Sequence, residues 1–305
     1  MRVTIVGGGA MGGTLAVEAA SAGHEVSVVD VDRDLRAHAA ASGLSADTPE
    51  GPLHASVPVV PEPDGGADVA LVFVKAQHTA AVAKAVEPLA AAGTIVASLQ
   101  NGWGNADVLA ETVPQEQLVV GVTYNSCTRL STGHTAHTGR GPTFVGPYRS
   151  GAPSGPSDTV AGLLSSSGWT CEATAAVLGE IWKKLVLNAA TLPTAALTGL
   201  PAGVLCEPAA MRPLVDGLAA EAVAVARAQR LDLDLDERLE AIHRTLGRAG
   251  RGRASMLQDA DARRKTEIET VNGAVVRASE RHGVDAPLNR AMVALVAGLE
   301  RSWSL

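Results

Sequence analysis

Residues 2–32, RVTIVGGGAMGGTLAVEAASAGHEVSVVDVD, constrain this chain more than any other stretch. Residues 2–6 alternate little and are rich in β-branched side chains, the pattern of a strand buried on both faces. Glycines follow at once, with Gly7, Gly9 and Gly12 in GxGxxG spacing. Residues 10–22 then offer a helix that Gly23 ends, and residues 25–29 offer a second buried strand. In this arrangement the first glycine permits the turn, the second lets backbone approach a pyrophosphate, and the third lets the helix lie close on the strand. The N–H groups of the helix start, at Ala10 and Met11, add a positive dipole end. A GxGxxG alone is weak evidence, since small residues also collect in ordinary turns. Here it sits between strand and helix, and Asp30 ends the second strand, where an acid accepts hydrogen bonds from ribose hydroxyls.

The remainder of the chain extends this start into a doubly wound pattern. Asp32 is placed to cap a helix to about residue 42, residues 48–66 read as short strands and loops, and residues 68–74 form the next buried strand. That strand ends in Lys75-Ala76-Gln77-His78-Thr79, followed by an alanine-rich helix, a strand over 94–97 and the turn Gln100-Asn101-Gly102-Trp103-Gly104. Ligands of such sheets sit beyond the carboxyl ends of the strands, where Gly7, Asp30, Lys75 and Asn101 all fall. Residues 118–147 have the look of antiparallel strands added to the sheet, and a helix over 158–166 and a strand over 169–173 close the first domain. From residue 176 only helical periodicity remains. The expectation is an α/β fold: a Rossmann-type doubly wound sheet with added antiparallel strands over 1–175, then an all-α domain over 176–305 for substrate and catalysis.

Composition narrows the function. A formal net charge of -7, with one short glycine-interrupted basic cluster at 248–253, argues against a nucleic-acid surface. Cys127, Cys171 and Cys206 have neither zinc-ligand nor disulfide spacing, so no metal is expected. No run of eighteen apolar residues and no signal segment is present, so the expected location is the cytoplasm, away from membranes.

The helix around 179–190 carries the chemistry. It is apolar nearly all round, yet Lys184 and Asn188 share a face with Ile181 and Leu185, whereas Lys183 points away. A lysine on an apolar face has a bland reading, snorkelling or a structural hydrogen bond. The sharper one is that it lines the substrate cleft and hands a proton to a carbonyl oxygen as hydride arrives.

Together with VGGGAMG, the segments Lys75-Ala76-Gln77-His78-Thr79, Gln100-Asn101-Gly102-Trp103-Gly104 and Trp182-Lys183-Lys184-Leu185 with Asn188 form an ordered series. Ser255-Met256-Leu257-Gln258-Asp259 and Thr266-Glu267-Ile268-Glu269 with Asn272-Gly273 continue it. The series runs through both domains and resembles the ketopantoate reductase family. The resemblance implies Lys184 as general acid on the C2 ketone and Glu267 as the carboxylate that orients it. It implies Asn101, Asn188 and Ser255 as substrate contacts, with Asn101 and Lys75 also near the cofactor. Read singly, Ser255 is equally a helix N-cap, Glu267 a solvated helix residue, and Lys75 or Asn101 a loop residue satisfying backbone groups.

Two departures from the family pattern stand out. Val31 occupies the place of an arginine in NADPH-using members, beside Asp30, whose acid accepts from a ribose 2′-OH and repels a 2′-phosphate, so NAD(H) is favoured over NADP(H). Arg33 could swing to a phosphate, though beside Asp32 and Asp34 it is more simply a surface ion-pair partner. Leu192, one turn beyond Asn188, replaces an asparagine that helps hold the distal hydroxyl of ketopantoate, which makes the distal substrate-binding pocket more apolar. The expected function is therefore reduction of 2-dehydropantoate, as in pantothenate biosynthesis, or of a related branched or apolar 2-oxo acid. A small-molecule substrate is the expected partner, and a homodimer is admitted. The alternatives are a D-2-hydroxyacid dehydrogenase working oxidatively, a hydroxyisobutyrate-type dehydrogenase, whose K-x-x-N spacing differs from Lys184 to Asn188, and a non-catalytic NAD-binding sensor.

Overall fold

A computed structural model describes residues 1–63 and 65–304. Asp64, inside the stretch read as short strands and loops, and Leu305, at the end of the helical region, lie outside the described residues. The chain divides into two compact units, 1–100 with 105–177, and 101–104 with 178–305.

The first unit is built on strands β1 (Arg2–Val6), β2 (Glu25–Val29), β3 (Leu44–Thr48), β4 (Gly51–Ala55), β5 (Val59–Val60), β6 (Val69–Val72), β7 (Ile95–Ser98), β8 (Leu118–Thr123), β9 (Ser126–Ser131), β10 (His134–Gly139), β11 (Thr143–Pro147) and β12 (Cys171–Ala173). Its helices are α1 (Ala10–Ser21), α2 (Arg33–Ser42), α3 (Thr79–Ala91), α4 (Asn105–Leu109) and α5 (Gly155–Ser166). Eight strands form the main sheet in the order β12-β11-β8-β7-β6-β1-β2-β5. Neighbours from β5 to β8 are parallel, and β11 reverses against β8. The chain steps from β1 outward to β2 and then back to β6 on the other side, so β1 lies at the switch point where such sheets hold ligands. Strands β6 and β8 are buried along their whole length, which explains their unbroken apolar runs. One face of the sheet is covered by a core containing Leu15, Val17, Leu163 and Trp169, the other by one containing Val82, Val86, Leu89 and Leu109.

The structure corrects one expectation here. Only β11 of the 118–147 strands joins the main sheet antiparallel, while β8 extends its parallel series. Strands β9 and β10 leave it for a second sheet, β4-β3-β10-β9, in which β10 runs parallel to β3. This sheet packs on α1, where a side chain at Gly13 would meet Thr135 Cγ2 at 3.2 Å.

The second unit is helical: α6 (Val177–Thr198), whose first residue falls in the first unit, then α7 (Met211–Ala228), α8 (Leu235–Arg248), α9 (Ser255–Asp261), α10 (Asn272–His282) and α11 (Pro287–Ser302). Trp182, Leu185, Leu218, Val223 and Val275 form its main core. None of the described helices is long and apolar enough to cross a membrane.

Candidate active site

In the first unit the glycine loop takes the shape its spacing implies. A side chain at Gly12 would come within 2.0 Å of the Gly7 carbonyl oxygen and 3.1 Å of Ile5, so helix α1 can lie on β1 only without one. At Gly9 a side chain would meet nothing within 4 Å, so packing does not explain its absence. Gly9 is also the N-cap of α1 and supplies no side-chain acceptor, which leaves the helix start to an external anion. The loop therefore fits a pyrophosphate. Asp30 is fixed beside it: Gly8 N–H donates to Asp30 Oδ2 at 2.7 Å and Asp32 N–H to Oδ1 at 2.9 Å. Asp32 caps α2 through Asp34 N–H and Leu35 N–H, while Val31 stands 82% exposed next to the fixed carboxylate.

Lys75 follows β6 and leads into a short 3-10 turn, its carbonyl accepting from His78 N–H at 2.9 Å. Gln100, whose role the sequence did not reveal, ties the neighbouring strand ends together. Its Nε2 donates to the Val74 carbonyl and to Thr79 Oγ1, both at 2.9 Å.

In the second unit, one turn of α6 gathers the proposed acid. Lys183 turns to Glu180, 2.8 Å away, and Lys184 turns the other way, donating from Nζ to Asn101 Oδ1 at 2.9 Å. Two opposing effects set the Lys184 ammonium. Burial lowers its pKa, the nearby Glu267 carboxylate raises it, and the balance lies at about 8 against an ordinary 10.5. An amine with that value is protonated at neutral pH and ready to give its proton up. By contrast, burial raises the Cys127 and Cys171 thiols to about 12, so neither is a ready nucleophile.

The Asn101 turn is docked by its own backbone. Trp103 N–H donates to the Thr270 carbonyl at 2.8 Å, and Gly102 has φ +86° with the Thr270 oxygen 2.4 Å from where a side chain would begin. Trp103 packs on Trp182 with ring centroids 5.8 Å apart. These links join residues far apart in sequence.

The other predicted contacts are more dispersed. Asn188 is buried one turn after Lys184. Leu192 is half-buried and packs against two apolar clusters of the helical unit. Ser255 is exposed as the first residue of α9, whose N-cap is Ala254, so the capping alternative does not describe it. Pro193 lies inside α6 and lacks the N–H that would reach Ala189, four residues back. Asn272 supplies it instead, its Nδ2 donating to the Ala189 carbonyl at 2.9 Å and to Asn289 Oδ1 at 2.9 Å. Asn272 thus holds the helix immediately after Asn188. No group of three His, Cys, Asp or Glu among the described residues could hold a metal ion.

Comparison with known proteins covers both units. Residues 3–150 match the family model "Ketopantoate reductase PanE/ApbA", and residues 176–300 match "Ketopantoate reductase PanE/ApbA C terminal". The chain is 30% identical over 304 residues to a 2-dehydropantoate 2-reductase of Halobacterium salinarum, covering 99% of each chain. It is 32% identical over 301 residues to one of Archaeoglobus fulgidus, covering 98% of each. Among solved structures, a PanE/ApbA family ketopantoate reductase from Ralstonia eutropha superposes with a TM-score of 0.90 at 31% identity over 100% of both chains. A D-mandelate dehydrogenase with NADH and anilino(oxo)acetate shares the fold, with a TM-score of 0.94 at 24% identity over 100% of both chains. With both of its parts matched and full-length relatives at this identity, the chain belongs to the ketopantoate reductase family of oxidoreductases.

Proposed function

We propose that this protein reduces the ketone of a small 2-oxo acid to a 2-hydroxy acid with NADH, the substrate being 2-dehydropantoate or a branched 2-oxo acid with an apolar side chain. The observation that carries the reading is Lys184, an ammonium at about 8, held by Asn101 and facing the Glu267 charge. Curated relatives across the whole chain are 2-dehydropantoate 2-reductases, which supports reduction of a 2-oxo acid.

Gly7, Gly9, Ala10, Met11, Gly12, Asp30 and Lys75 would hold the dinucleotide, which when bound supplies hydride to the substrate C2. Carbonyl reduction creates an alkoxide, and Lys184 Nζ delivers the proton that quenches it. Asn101 fixes the direction of Nζ, and Glu267 keeps the amine protonated at neutral pH. Asn188 and Ser255 are assigned to the substrate, and Leu192 to its distal side chain. An apolar group there offers no partner for a distal hydroxyl, so an analogue without that hydroxyl loses little. Asp30, fixed by Gly8 and Asp32 and next to Val31, favours NADH.

The test is a panel of 2-oxo acids assayed with NADH and NADPH. Turnover of 2-dehydropantoate or 2-oxoisovalerate with higher kcat/KM for NADH supports the reading. Failure to oxidise either cofactor with any member of the panel rejects it.

A further inference from the structure

Glu267 lies in an irregular stretch between α9 and α10, where no helix or sheet ladder holds it. A segment without such a ladder opens easily unless something else pins it. We propose that Glu300, in the last turn of α11, is a positioning residue for the Lys184–Glu267 pair, acting through Thr266. The inference rests on the catalytic reading of Lys184 given above.

Thr266 is 3% exposed and sends both of its donors to one oxygen, Glu300 Oε1, its N–H at 2.8 Å and its hydroxyl at 2.6 Å. The same hydroxyl accepts from Ile268 N–H at 3.3 Å, so Glu267 is bracketed on both sides by Thr266 bonds. Beyond it, the Glu267 carbonyl accepts from Thr270 and Val271 N–H, both at 3.1 Å, and the Thr270 carbonyl accepts from Trp103 N–H. One carboxylate therefore anchors a run of bonds that reaches both partners of Lys184: Glu267 directly, and Asn101 through the Trp103 turn. Upstream, Arg264 closes the exit of α9 onto the buried Asp259 at 3.0 Å, which leaves Thr266 as the next fixed point.

Lys183 and Glu269 are committed elsewhere. Lys183 pairs with Glu180, and Glu269 lies 3.5 Å from Arg277. The charge that sustains the Lys184 ammonium against burial is that of Glu267. If Glu267 is released, the pKa of Lys184 falls further, and the alkaline limb of kcat moves to lower pH. A general loss of folded protein would scale activity equally at every pH.

Glu300→Leu is compared with Glu300→Gln, whose amide oxygen still accepts both Thr266 bonds. The leucine variant should lose about fivefold to tenfold of kcat at pH 8 and less than about twofold at pH 6, and glutamine should restore the profile. The Lys184 13Cε resonance, assigned by its absence in Lys184→Arg, should titrate at lower pH in Glu300→Leu. Should the leucine variant not fold, Thr266→Val, which keeps the N–H bond to Glu300 but removes both bonds of the hydroxyl, to Glu300 and from Ile268 N–H, should shift that titration in the same direction. An unmoved lysine titration, or a loss uniform in pH, overturns the inference. If the unmodified protein turns over no 2-oxo acid, the proposed function fails, while the resonance titration still decides the role of Glu300.

Discussion

Lys184→Met separates catalytic from structural roles, because the Lys184 ammonium is held at a cost to the fold. Depressing the ammonium from 10.5 to about 8 corresponds to about 3 kcal/mol of disfavoured charge. Lys184 is only half-buried, and methionine leaves Asn101 Oδ1 without its ammonium donor, so the expected net gain is about 1–2 kcal/mol. The sign follows from proton counting. Below pH 8 lysine is charged in both folded and unfolded chains, and the full penalty applies. Between 8 and 10.5 the unfolded chain binds more protons, so the stability of the unmodified protein rises with pH and the penalty fades. Calorimetry should therefore find the inactive methionine variant melting a few degrees above the parent at pH 7, with the difference vanishing near pH 10.5. A variant that melts lower at pH 7, or whose gain is the same at both pH values, would refute the reasoning that Lys184 is held against its own solvation.

Three further outcomes can be checked. Asp30→Asn should narrow the preference for NADH over NADPH in kcat/KM, since it removes the repelling charge while keeping an acceptor for Gly8 N–H; an unchanged ratio assigns the preference elsewhere. Leu192→Asn should shift kcat/KM from 2-oxoisovalerate toward 2-dehydropantoate, and no shift shows that Leu192 serves only the core against which it packs. Asn272→Leu should cost about 2 kcal/mol in urea unfolding, because the buried Ala189 carbonyl, deprived of a backbone donor by Pro193, loses its substitute.

What the sequence disclosed and what it hid differ in physical kind. The stretch from β1 to β2 is legible because each boundary is a local event: a glycine turn, a helix stop at Gly23 and a β-branched run. The face of α6 is legible for the same reason, since helical phase separates Lys184 from Lys183. The second sheet was not, because β10 pairs with β3 across most of the first unit, and a short alternating strand carries no mark of which sheet it will join. Equally hidden were the Trp103 bond to Thr270 and the Asn272 bond to Ala189, which are non-local and involve backbone carbonyls on one side. Pro193 was the one local sign of the latter, since a proline inside a helix frees a carbonyl that something must satisfy.

Lys184 is proposed as the proton donor of a 2-oxo acid reductase. Its most direct test is NADH oxidation with 2-dehydropantoate or 2-oxoisovalerate by the unmodified protein, Lys184→Ala and Lys183→Ala. Lys184→Ala should lower kcat by about 10² or more with NADH affinity nearly unchanged, and Lys183→Ala should be nearly silent. Full activity in Lys184→Ala, or an exchange of outcomes between the two lysines, would contradict it.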